Sequence, residues 1–255
     1  MITAGIDVGL EYTKAVVMKD GKVAGKAIGL SGGVGRPAAV QAVYDEALKA
    51  AGVKAADVAK VFATGKGKFD VAFADDRLTE VVTAAQAAKL TAPNVSTVIT
   101  AGADEIVVAT VGAERINEFV LNQKCAAGLG LLMESIADRF EMTVEELGAL
   151  DGPLTVKVND GCIVFAELDA LSLVNQGVDP KEVCKAVVEA CAWRASMTIN
   201  DIYKPDKACV VMMGGLVMNK AFLKALERIS GIKFVLPEDP VYAGAMGAAS
   251  LAAAA

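Results

Sequence analysis

The pattern of hydrophobic and polar positions along the chain alternates between two periods, one typical of strands and one typical of helices. MITAGIDVG and YTKAVVMKDGKVAGKAIGL alternate like strands, and the Asp20-Gly21 pair predicts a tight hairpin. The helical period follows in PAAVQAVYDEALKAAG, which ends on Gly52, and in LTEVVTAAQAAKLTAP, which stops near Pro93. Between these helices, VAKVFATGKG predicts a short buried strand that runs into a glycine turn.

The rest of the chain repeats this mixture of strands and helices. VSTVITAGADEIVVATVG predicts a second strand-turn-strand unit, and a helix follows Cys125. TVEELGAL and PKEVCKAVVEACAWRASMTINDI have helical spacing, while GCIVFAELDALSLVNQG predicts a strand that leads into a helix. ACVVMMGGLVMNKAFLKALERISG predicts a strand, a Gly-Gly turn and a helix. Hairpins combined with crossover helices predict an α/β protein with mixed sheets.

A short internal echo connects the two parts of the chain. ITAGID at Ile2–Asp7 recurs as ITAGAD at Ile99–Asp104, and each copy opens a strand-turn-strand unit. Chance similarity between two strands is one explanation, and a duplicated domain is the other. In a duplicated domain, two glycine-bearing turns would face one cleft and hold phosphate groups from both sides.

Composition narrows the classes of function. The 255 residues include no histidine, which excludes Ser-His-Asp and Cys-His nucleophiles, histidine general bases and histidine-bearing zinc sites. The net charge of −6, without a basic block, argues against nucleic acid or an anionic membrane as a partner. The chain has no long apolar run and no secretory signal, so we expect a cytoplasmic protein whose five cysteines are reduced thiols.

The common nucleotide-binding motifs are missing, because the sequence has neither a P-loop nor a strand-associated G-x-G-x-x-G. DVGLEYTK instead places Asp7 and Gly9 at a strand end, with Thr13 and Lys14 on the return strand. An aspartate in such a turn can hold Mg²⁺ through water, while bare backbone N–H groups approach phosphates. An ordinary hairpin with an exposed lysine is the alternative.

A further glycine turn, GGLVMN, runs from Gly214 to Asn219 between a buried strand and a helix. Glycine lets a flat ring or a phosphate lie against the backbone there, and the N-terminus of the helix favours anions. A tight connection between a strand and a helix also favours glycine, so this turn alone does not decide for a nucleotide. Three glycine turns in one alternating fold favour nucleotide binding more than any one of them does.

Six segments, taken in order, resemble a known family: DVGLEYTK, ATGKGK, NQKCAAGLGLLMESIA, GCIVFAELDALSLVNQG, GGLVMN and DPVYAGAMGAA. The family is that of the activators of 2-hydroxyacyl-CoA dehydratases and the ATPase subunits of benzoyl-CoA reductase (BadF/BadG/BcrA/BcrD). The resemblance covers nearly the whole chain, and its most specific part is the Cys125 segment followed by the Cys162 segment. The glycine turns alone also fit sugar kinases and actin-like proteins.

The resemblance implies a two-domain ATPase fold of the acetate kinase/Hsp70/actin type, which is ribonuclease H-like, with duplicated mixed sheets. We expect a first subdomain over 1–92, rejoined by a C-terminal helix at 241–255, and a second subdomain over 93–240. ATP or ADP with Mg²⁺ is expected in the cleft, with Asp7 and Asp104 as the catalytic carboxylates. The residues expected to bind this cofactor are Asp7, Gly9, Thr13, Lys14, Gly102, Ala103, Asp104, Gly214, Gly215 and Asn219.

The resemblance also implies a [4Fe–4S] cluster shared between two chains, with Cys125 and Cys162 as the ligands from each. Such a cluster takes four thiolates, so a chain that supplies two must pair with a second copy or a paralogous ATPase subunit. Both cysteines lie in turns that lead into helices, where backbone N–H groups and the helix dipole favour thiolate. Two buried structural thiols are the alternative.

The remaining cysteines and two other notable side chains are expected to pack in the core. Cys184 and Cys191 lie seven positions apart on one predicted helix and share a face, and Cys209 lies in an apolar strand. Trp193 and the Met212-Met213 pair are predicted to be packing residues as well.

The function that the resemblance implies is ATP-coupled electron transfer. A ferredoxin or flavodoxin would reduce the cluster, and ATP would drive the electron onto an acyl-CoA reductase or dehydratase. The ending DPVYAGAMGAA is closer to the benzoyl-CoA reductase subunits, so that system is expected first. The alternatives are a homodimeric 2-hydroxyacyl-CoA dehydratase activator, a nucleotide-binding regulatory subunit with weak ATPase activity, and a sugar or acyl kinase.

Two turns depart from the family pattern. The second phosphate turn reads TAGADE, so Thr100 stands where an aspartate is expected, and the turn usually written Gly-Tyr-Gly-Arg is GKGK. If the second turn needs a carboxylate, we expect this chain to bind ATP but to hydrolyse it slowly. The alternative is that Asp104, which the echo aligns with Asp7, supplies the charge.

Overall fold

The structure is a computed structural model that describes residues 1–113, 115–122, 128–203 and 209–255. The chain forms two compact units. The first comprises Met1–Val95 together with Leu236–Ala255, and the second comprises Ser96–Val235. Each unit has its own sheet and its own hydrophobic core.

Among the described residues of the first unit, five strands form a mixed sheet. The strands are β1 (Ile2–Val8), β2 (Tyr12–Lys19), β3 (Lys22–Leu30), β4 (Lys60–Thr64) and β5 (Asp76–Arg77). Their order is β3-β2-β1-β4-β5, with β1 antiparallel to β2 and parallel to β4. Asp20 and Gly21 join β2 to β3 with φ angles of 51° and 78°, which confirms the predicted hairpin.

The sheet is covered by α1 (Arg36–Ala51) and, from the end of the chain, by α8 (Ala243–Ala254), whereas α2 (Glu80–Thr91) packs mainly on α8. Alternate residues of β1 point to opposite faces of the sheet. Ile6 belongs to the core that contains α1, whereas Gly5 lies under α8. A Cβ at Gly5 would come within 3.0 Å of the Ala245 carbonyl carbon. The alanine-rich helix α8 therefore approaches the sheet closely because the strand carries glycine at the contact.

Among the described residues of the second unit, four strands form the sheet β8-β7-β6-β9. They are β6 (Thr97–Ala101), β7 (Ile106–Val111), β8 (Ile116–Leu121) and β9 (Val210–Met213). The helices are α3 (Leu129–Arg139), α4 (Val144–Gly148), α5 (Ile163–Asn175), α6 (Pro180–Asn200) and α7 (Lys220–Ser230). Helix α6 lies in the middle of the core, which includes the fully buried side chains of Ile99, Ile136 and Phe222.

Two elements of the second unit differ from the sequence-based prediction. The segment 161–177 was expected to begin with a strand, but its described structure is a turn followed directly by α5. The Asn159 side chain accepts hydrogen bonds from the N–H groups of Gly161 and Cys162, which takes these groups out of any strand ladder. Strand β8 was not predicted, since INEFVL is an edge strand with weak alternation, and its residues are exposed or half-buried.

The described helices also bear on the membrane question. Within the parts of the chain that the structure describes, none combines the length and the apolar character needed to cross a bilayer.

Candidate functional site

The first predicted phosphate turn lies at the end of β1. Asp7 and Lys14 are register partners on β1 and β2, and the lysine Nζ lies 4.0 Å from the Asp7 carboxylate. The Lys14 ammonium also donates to the Tyr12 carbonyl at 3.1 Å. The Gly9 N–H donates to the same carbonyl at 3.1 Å, which closes the turn. A carboxylate and an ammonium thus stand together at the opening of this hairpin.

Backbone from two other elements of the first unit encloses Asp7. A Cβ at Gly65, directly after β4, would come within 2.6 Å of Asp7 Oδ1, and a Cβ at Gly244 would come within 3.1 Å of Oδ2. Gly244 lies in the first turn of α8, so the helix N-terminus faces the carboxylate. Burial raises the pKa of Asp7, while the Lys14 charge opposes that shift. This enclosure suits a carboxylate that holds a hydrated divalent cation.

Thr13 supports the turn from the interior. Its hydroxyl lies 3.0 Å from that of Ser31, and the Ser31 hydroxyl donates to the Gly9 carbonyl at 2.8 Å. Both side chains are buried. Thr13 therefore stabilises the turn from within the core. Ser31, which the sequence analysis did not identify, stabilises the same turn. A serine beside two glycines at the end of β3 was the available signal.

The second predicted turn repeats the first in its hydrogen bonding. Asp7 pairs with Lys14 on the antiparallel side and with Thr64 on the parallel side. Thr100 occupies the equivalent position in the second sheet, where it pairs with Val107 and Met213. The Gly102 N–H donates to the Glu105 carbonyl at 3.0 Å, as the N–H of the first turn donates to the carbonyl three residues on. In both sheets the central strand is thus antiparallel to the next strand and parallel to a later one.

This structural repeat differs in register from the sequence echo. It relates residues 93 positions apart (100 − 7), whereas ITAGID and ITAGAD are 97 apart (99 − 2). The counterpart of Asp7 is therefore Thr100 rather than Asp104, and the counterpart of Lys14 is Val107. The ion pair of the first turn has a neutral pair as its equivalent in the second.

The turn that contains Gly102, Ala103 and Asp104 packs on the start of α3. The Leu131 N–H donates to the Ala103 carbonyl at 3.1 Å, and the Gly128 N–H donates to the Asp104 carbonyl. A Cβ at Gly130 would come within 2.6 Å of the Ala103 Cα, so glycine permits this contact. The turn and the first residues of α3 are thus joined through their backbones.

The third glycine turn follows β9. Gly214 has a φ of +104°, and its Cβ would come within 2.9 Å of the Ala101 carbonyl carbon, so glycine is required there. Gly215 is exposed and begins a short 3₁₀ turn at 215–218. Asn219 is 5% exposed and caps α7, its side-chain oxygen accepting the Phe222 N–H at 2.9 Å. The Asn219 side chain is therefore committed to the helix, as that of Thr13 is to its hairpin.

Only one of the two expected cluster ligands lies among the residues that the structure describes. Cys125 lies outside the described residues. Cys162 is half-buried and occupies the N-cap position of α5, with its N–H bonded to Asn159 Oδ1 at 2.8 Å. Within the described residues, no three cysteine or carboxylate side chains gather as a metal site.

The remaining cysteines follow the prediction in part. Cys184 and Cys191 are fully buried, and burial raises their pKa values to about 11 and about 12, which confirms them as core thiols. Cys209 is only half-buried because it precedes β9 rather than lying within it. The packing prediction for Trp193 was wrong, since this side chain is 47% exposed on α6, whereas Met212 and Met213 are buried as predicted.

Known proteins resemble this chain over most or all of its length. The model of the BadF/BadG/BcrA/BcrD ATPase family matches residues 4–252. The activator of lactoyl-CoA dehydratase from Anaerotignum propionicum is 32% identical over 255 residues, which cover 98% of this chain and 96% of that protein. One of the benzoyl-CoA reductase subunits from Thauera aromatica is 28% identical over 217 residues, covering 81% of this chain and 75% of that protein.

A solved structure shows the same fold. The activator of the 2-hydroxyisocaproyl-CoA dehydratase from Clostridium difficile with bound ADPNP superimposes with a TM-score of 0.89 at 28% identity, covering 99% of this chain and 94% of that one. The predicted fold class, an actin/Hsp70-like ATPase fold with two mixed sheets, is confirmed.

Proposed function

The chain belongs to the BadF/BadG/BcrA/BcrD ATPase family, and from this membership we propose that it is an ATP-dependent electron-transfer component. Reduced ferredoxin or flavodoxin would supply the electron, and an acyl-CoA dehydratase or reductase would receive it. The observation that carries the proposal is the match over residues 4–252 to a family of ATPases, in a chain that also presents Cys162 at the start of α5.

The partner is one of two classes. The ending of the chain favoured benzoyl-CoA reductase at the level of sequence. The relatives give more support to a dehydratase, because the lactoyl-CoA dehydratase activator matches 98% of the chain and the benzoyl-CoA reductase relative matches 81%. We therefore propose an activator of a 2-hydroxyacyl-CoA dehydratase first, and a component of a benzoyl-CoA reductase second.

The turn of the first unit is proposed to bind the phosphates of ATP together with Mg²⁺. Asp7 would hold Mg²⁺ through its water ligands, which is the usual way that a protein carboxylate and nucleotide phosphates share this ion. Lys14, already within 4.0 Å of that carboxylate, would contact a phosphate oxygen. Gly9 would offer its peptide backbone without a side chain in the way.

The turn of the second unit is proposed to contact the same phosphates through backbone N–H groups at Gly102, Ala103 and Asp104, with Gly214 and Gly215 beside the nucleotide. The structural repeat supports Thr100 as the position where a carboxylate is missing. Slow hydrolysis by the isolated chain follows from this assignment. Asp104 as the catalytic carboxylate is the alternative that mutation decides.

The cluster is proposed to lie between two copies of the chain, with Cys125 and Cys162 from each copy as ligands. The donor set fits a [4Fe–4S] cluster, because the chain has no histidine and Cys162 stands at a helix N-terminus where thiolate is favoured. The buried thiols Cys184 and Cys191 fit less well, since their pKa values are raised by burial. When bound, such a cluster supplies storage for one electron at low potential.

The contact between the Gly102–Asp104 turn and α3 offers a route from nucleotide to cluster. ATP changes an equilibrium only if it contacts two conformations differently. A phosphate that shifts this turn would shift the start of α3 with it, because Ala103 accepts the Leu131 N–H. Helix α3 follows Cys125 in the chain, so the shift would reach a cluster ligand.

The test is the rate at which an iron chelator removes iron from the anaerobically reconstituted protein with MgATP or MgADP. We expect the two rates to differ about fivefold or more, in line with common coupling free energies. Asp7→Asn should remove the difference, and Asp45→Asn, which changes an exposed carboxylate of the same unit, should keep it. Equal rates with both nucleotides in a protein that holds iron would contradict ATP coupling.

A further inference from the structure

Arg194 is a buried arginine in α6 that forms hydrogen bonds to the loop before Cys162. It is 6% exposed, and its guanidinium donates from Nε to the Asp160 carbonyl and from Nη2 to the Asn159 carbonyl, the latter at 3.2 Å. Both acceptors belong to the turn that leads into α5. One side chain thus binds the carbonyls of two consecutive residues, which lie three and two positions before the cysteine.

The loop that Arg194 binds, residues 159–161, in turn holds the backbone of Cys162 by hydrogen bonds. The Asn159 side-chain oxygen accepts the N–H of Gly161 at 2.9 Å and that of Cys162 at 2.8 Å. The Asn159 N–H donates to Asp169 Oδ2, also at 2.9 Å, which ties the loop to α5. The position of the Cys162 backbone is therefore set by a chain of contacts that begins at Arg194.

The charge of Arg194 has no evident counterpart. Its Nη1 is buried and has no hydrogen-bond partner in the parts of the chain that the structure describes, and none of the ion pairs among the described residues includes it. The other bonds of the guanidinium go to neutral carbonyls. A buried cation without an anionic partner is strongly unfavourable, so proteins seldom keep one unless an anion faces it.

Helix α6 contacts the second cysteine segment as well. Cys191, three positions before Arg194, lies with its Sγ 4.0 Å from the carbonyl of Leu129, the first residue of α3. The same face of α6 therefore touches the loop before Cys162 and the start of the helix after Cys125. A residue on this face is well placed to act on both proposed ligand segments.

We propose that Arg194 positions Cys162 for cluster binding and provides the positive charge that balances the thiolate-bound cluster. This inference rests on the function proposed above. A tetrathiolate cluster is an anion that becomes more negative when it gains an electron, so a nearby cation stabilises the reduced state more than the oxidised state. Arg194 thereby makes the cluster easier to reduce and holds one of its ligands in place.

The experiment compares two variants at this position with one control. Arg194→Met keeps the bulk of the side chain and removes its charge and donors, while Arg194→Lys keeps the charge and loses the paired donors. Arg139→Met is the control, because the Arg139 guanidinium pairs with the Glu167 carboxylate of α5 and, among the described residues, forms no hydrogen bond to the loop. Two quantities are measured: hydrogen exchange of the peptide spanning 157–165 in the apoprotein, and the midpoint potential of the reconstituted protein.

Arg194→Met is expected to speed exchange in this peptide by about tenfold and to make reduction tenfold less favourable, which corresponds to about 59 mV for one electron. Arg194→Lys should speed exchange as well and leave the potential near that of the unmodified protein. Arg139→Met should change neither quantity. If neither variant at 194 fits this pattern in a protein that binds iron, the proposal is overturned.

Two further outcomes separate this inference from the proposed function. Faster exchange in both variants with an unchanged potential would make Arg194 a purely structural clamp and would overturn its role in charge balance. An unmodified chain that takes up no iron after anaerobic reconstitution would overturn the proposed function, and this inference with it. Iron uptake by the unmodified chain is therefore measured first.

Discussion

Replacing Gly65 by alanine tests whether the turn after β4 shapes the Asp7 site. Gly65 has a φ of +89°, and an added Cβ would lie 2.6 Å from Asp7 Oδ1 and closer still to the Val8 carbonyl oxygen. The left-handed conformation costs about 1–2 kcal/mol for a residue with a side chain. Crowding against fixed backbone adds about 1–3 kcal/mol. We therefore expect the free energy of unfolding to fall by about 2–5 kcal/mol.

Gly52→Ala is the matched control for this variant. Gly52 also has a positive φ, of +67°, but a Cβ there would meet no atom within 4 Å. Its substitution should cost only the conformational part, about 1–2 kcal/mol. The difference between the two variants in urea unfolding measures the crowding at Gly65 alone.

Binding of MgATP, measured by titration calorimetry below the unfolding range, gives the functional half of the test. In Gly65→Ala the added methyl must displace the Asp7 carboxylate, so affinity should fall by about tenfold or more, as it does when a group that orients a metal ligand is lost. Gly52→Ala should bind like the unmodified protein. Equal unfolding free energies and equal affinities in the two variants would refute the close approach and its role in the site.

The remaining predictions concern charge and thiol chemistry. Asp7→Asn should raise stability at pH 7, because burial raises the pKa of this carboxyl above its ordinary value of 3.8 and the folded state therefore loses stability as pH rises through that range. The gain in the free energy of unfolding should shrink as the pH falls towards 3.8. The affinity of the same variant for MgATP should drop about 10–100-fold. A variant that is less stable than the unmodified protein at pH 7 would contradict the destabilising effect of the buried charge. Thr100→Asp should raise steady-state ATP hydrolysis by about 10²–10⁴-fold and Asp104→Asn should leave it unchanged; the opposite result would favour Asp104 as the catalytic carboxylate. Iodoacetamide should leave Cys184 and Cys191 of the folded apoprotein unmodified at pH 8, as mass spectrometry of the peptides will show, because their pKa values of about 11 and about 12 keep the thiols protonated.

The central strands of both sheets could be predicted from the sequence because their signals are local, whereas the edge strand β8 could not. The Asp20-Gly21 pair fixes a hairpin, and apolar runs bounded by glycine mark the central strands. The register of the internal repeat could not be predicted in the same way. ITAGID and ITAGAD have similar sequences, but strand pairing shows which residues are structurally equivalent. Asp7 pairs with Lys14 as Thr100 pairs with Val107, so Asp7 corresponds to Thr100.

Side-chain roles near the predicted site were harder to assign. Thr13 and Asn219 have residue types that suit either a ligand or an internal hydrogen bond, and only the fold shows that both are buried and bonded inside. Trp193 was predicted to be a packing residue like Met212 and Met213, yet its side chain is exposed on α6. Arg194 beside it carries no sequence signal at all, because its partners are main-chain carbonyls of a distant loop.

Iron content after anaerobic reconstitution decides whether two copies of the chain share a cluster. We expect about two iron atoms per chain in the unmodified protein, as one [4Fe–4S] cluster shared by two copies requires. Cys162→Ser and Cys125→Ser should each abolish this iron and its low-temperature EPR signal after reduction, while Cys191→Ser, which removes a buried thiol, should keep both. A folded Cys162→Ser protein that still holds the cluster would contradict the proposed ligand set and the function built on it.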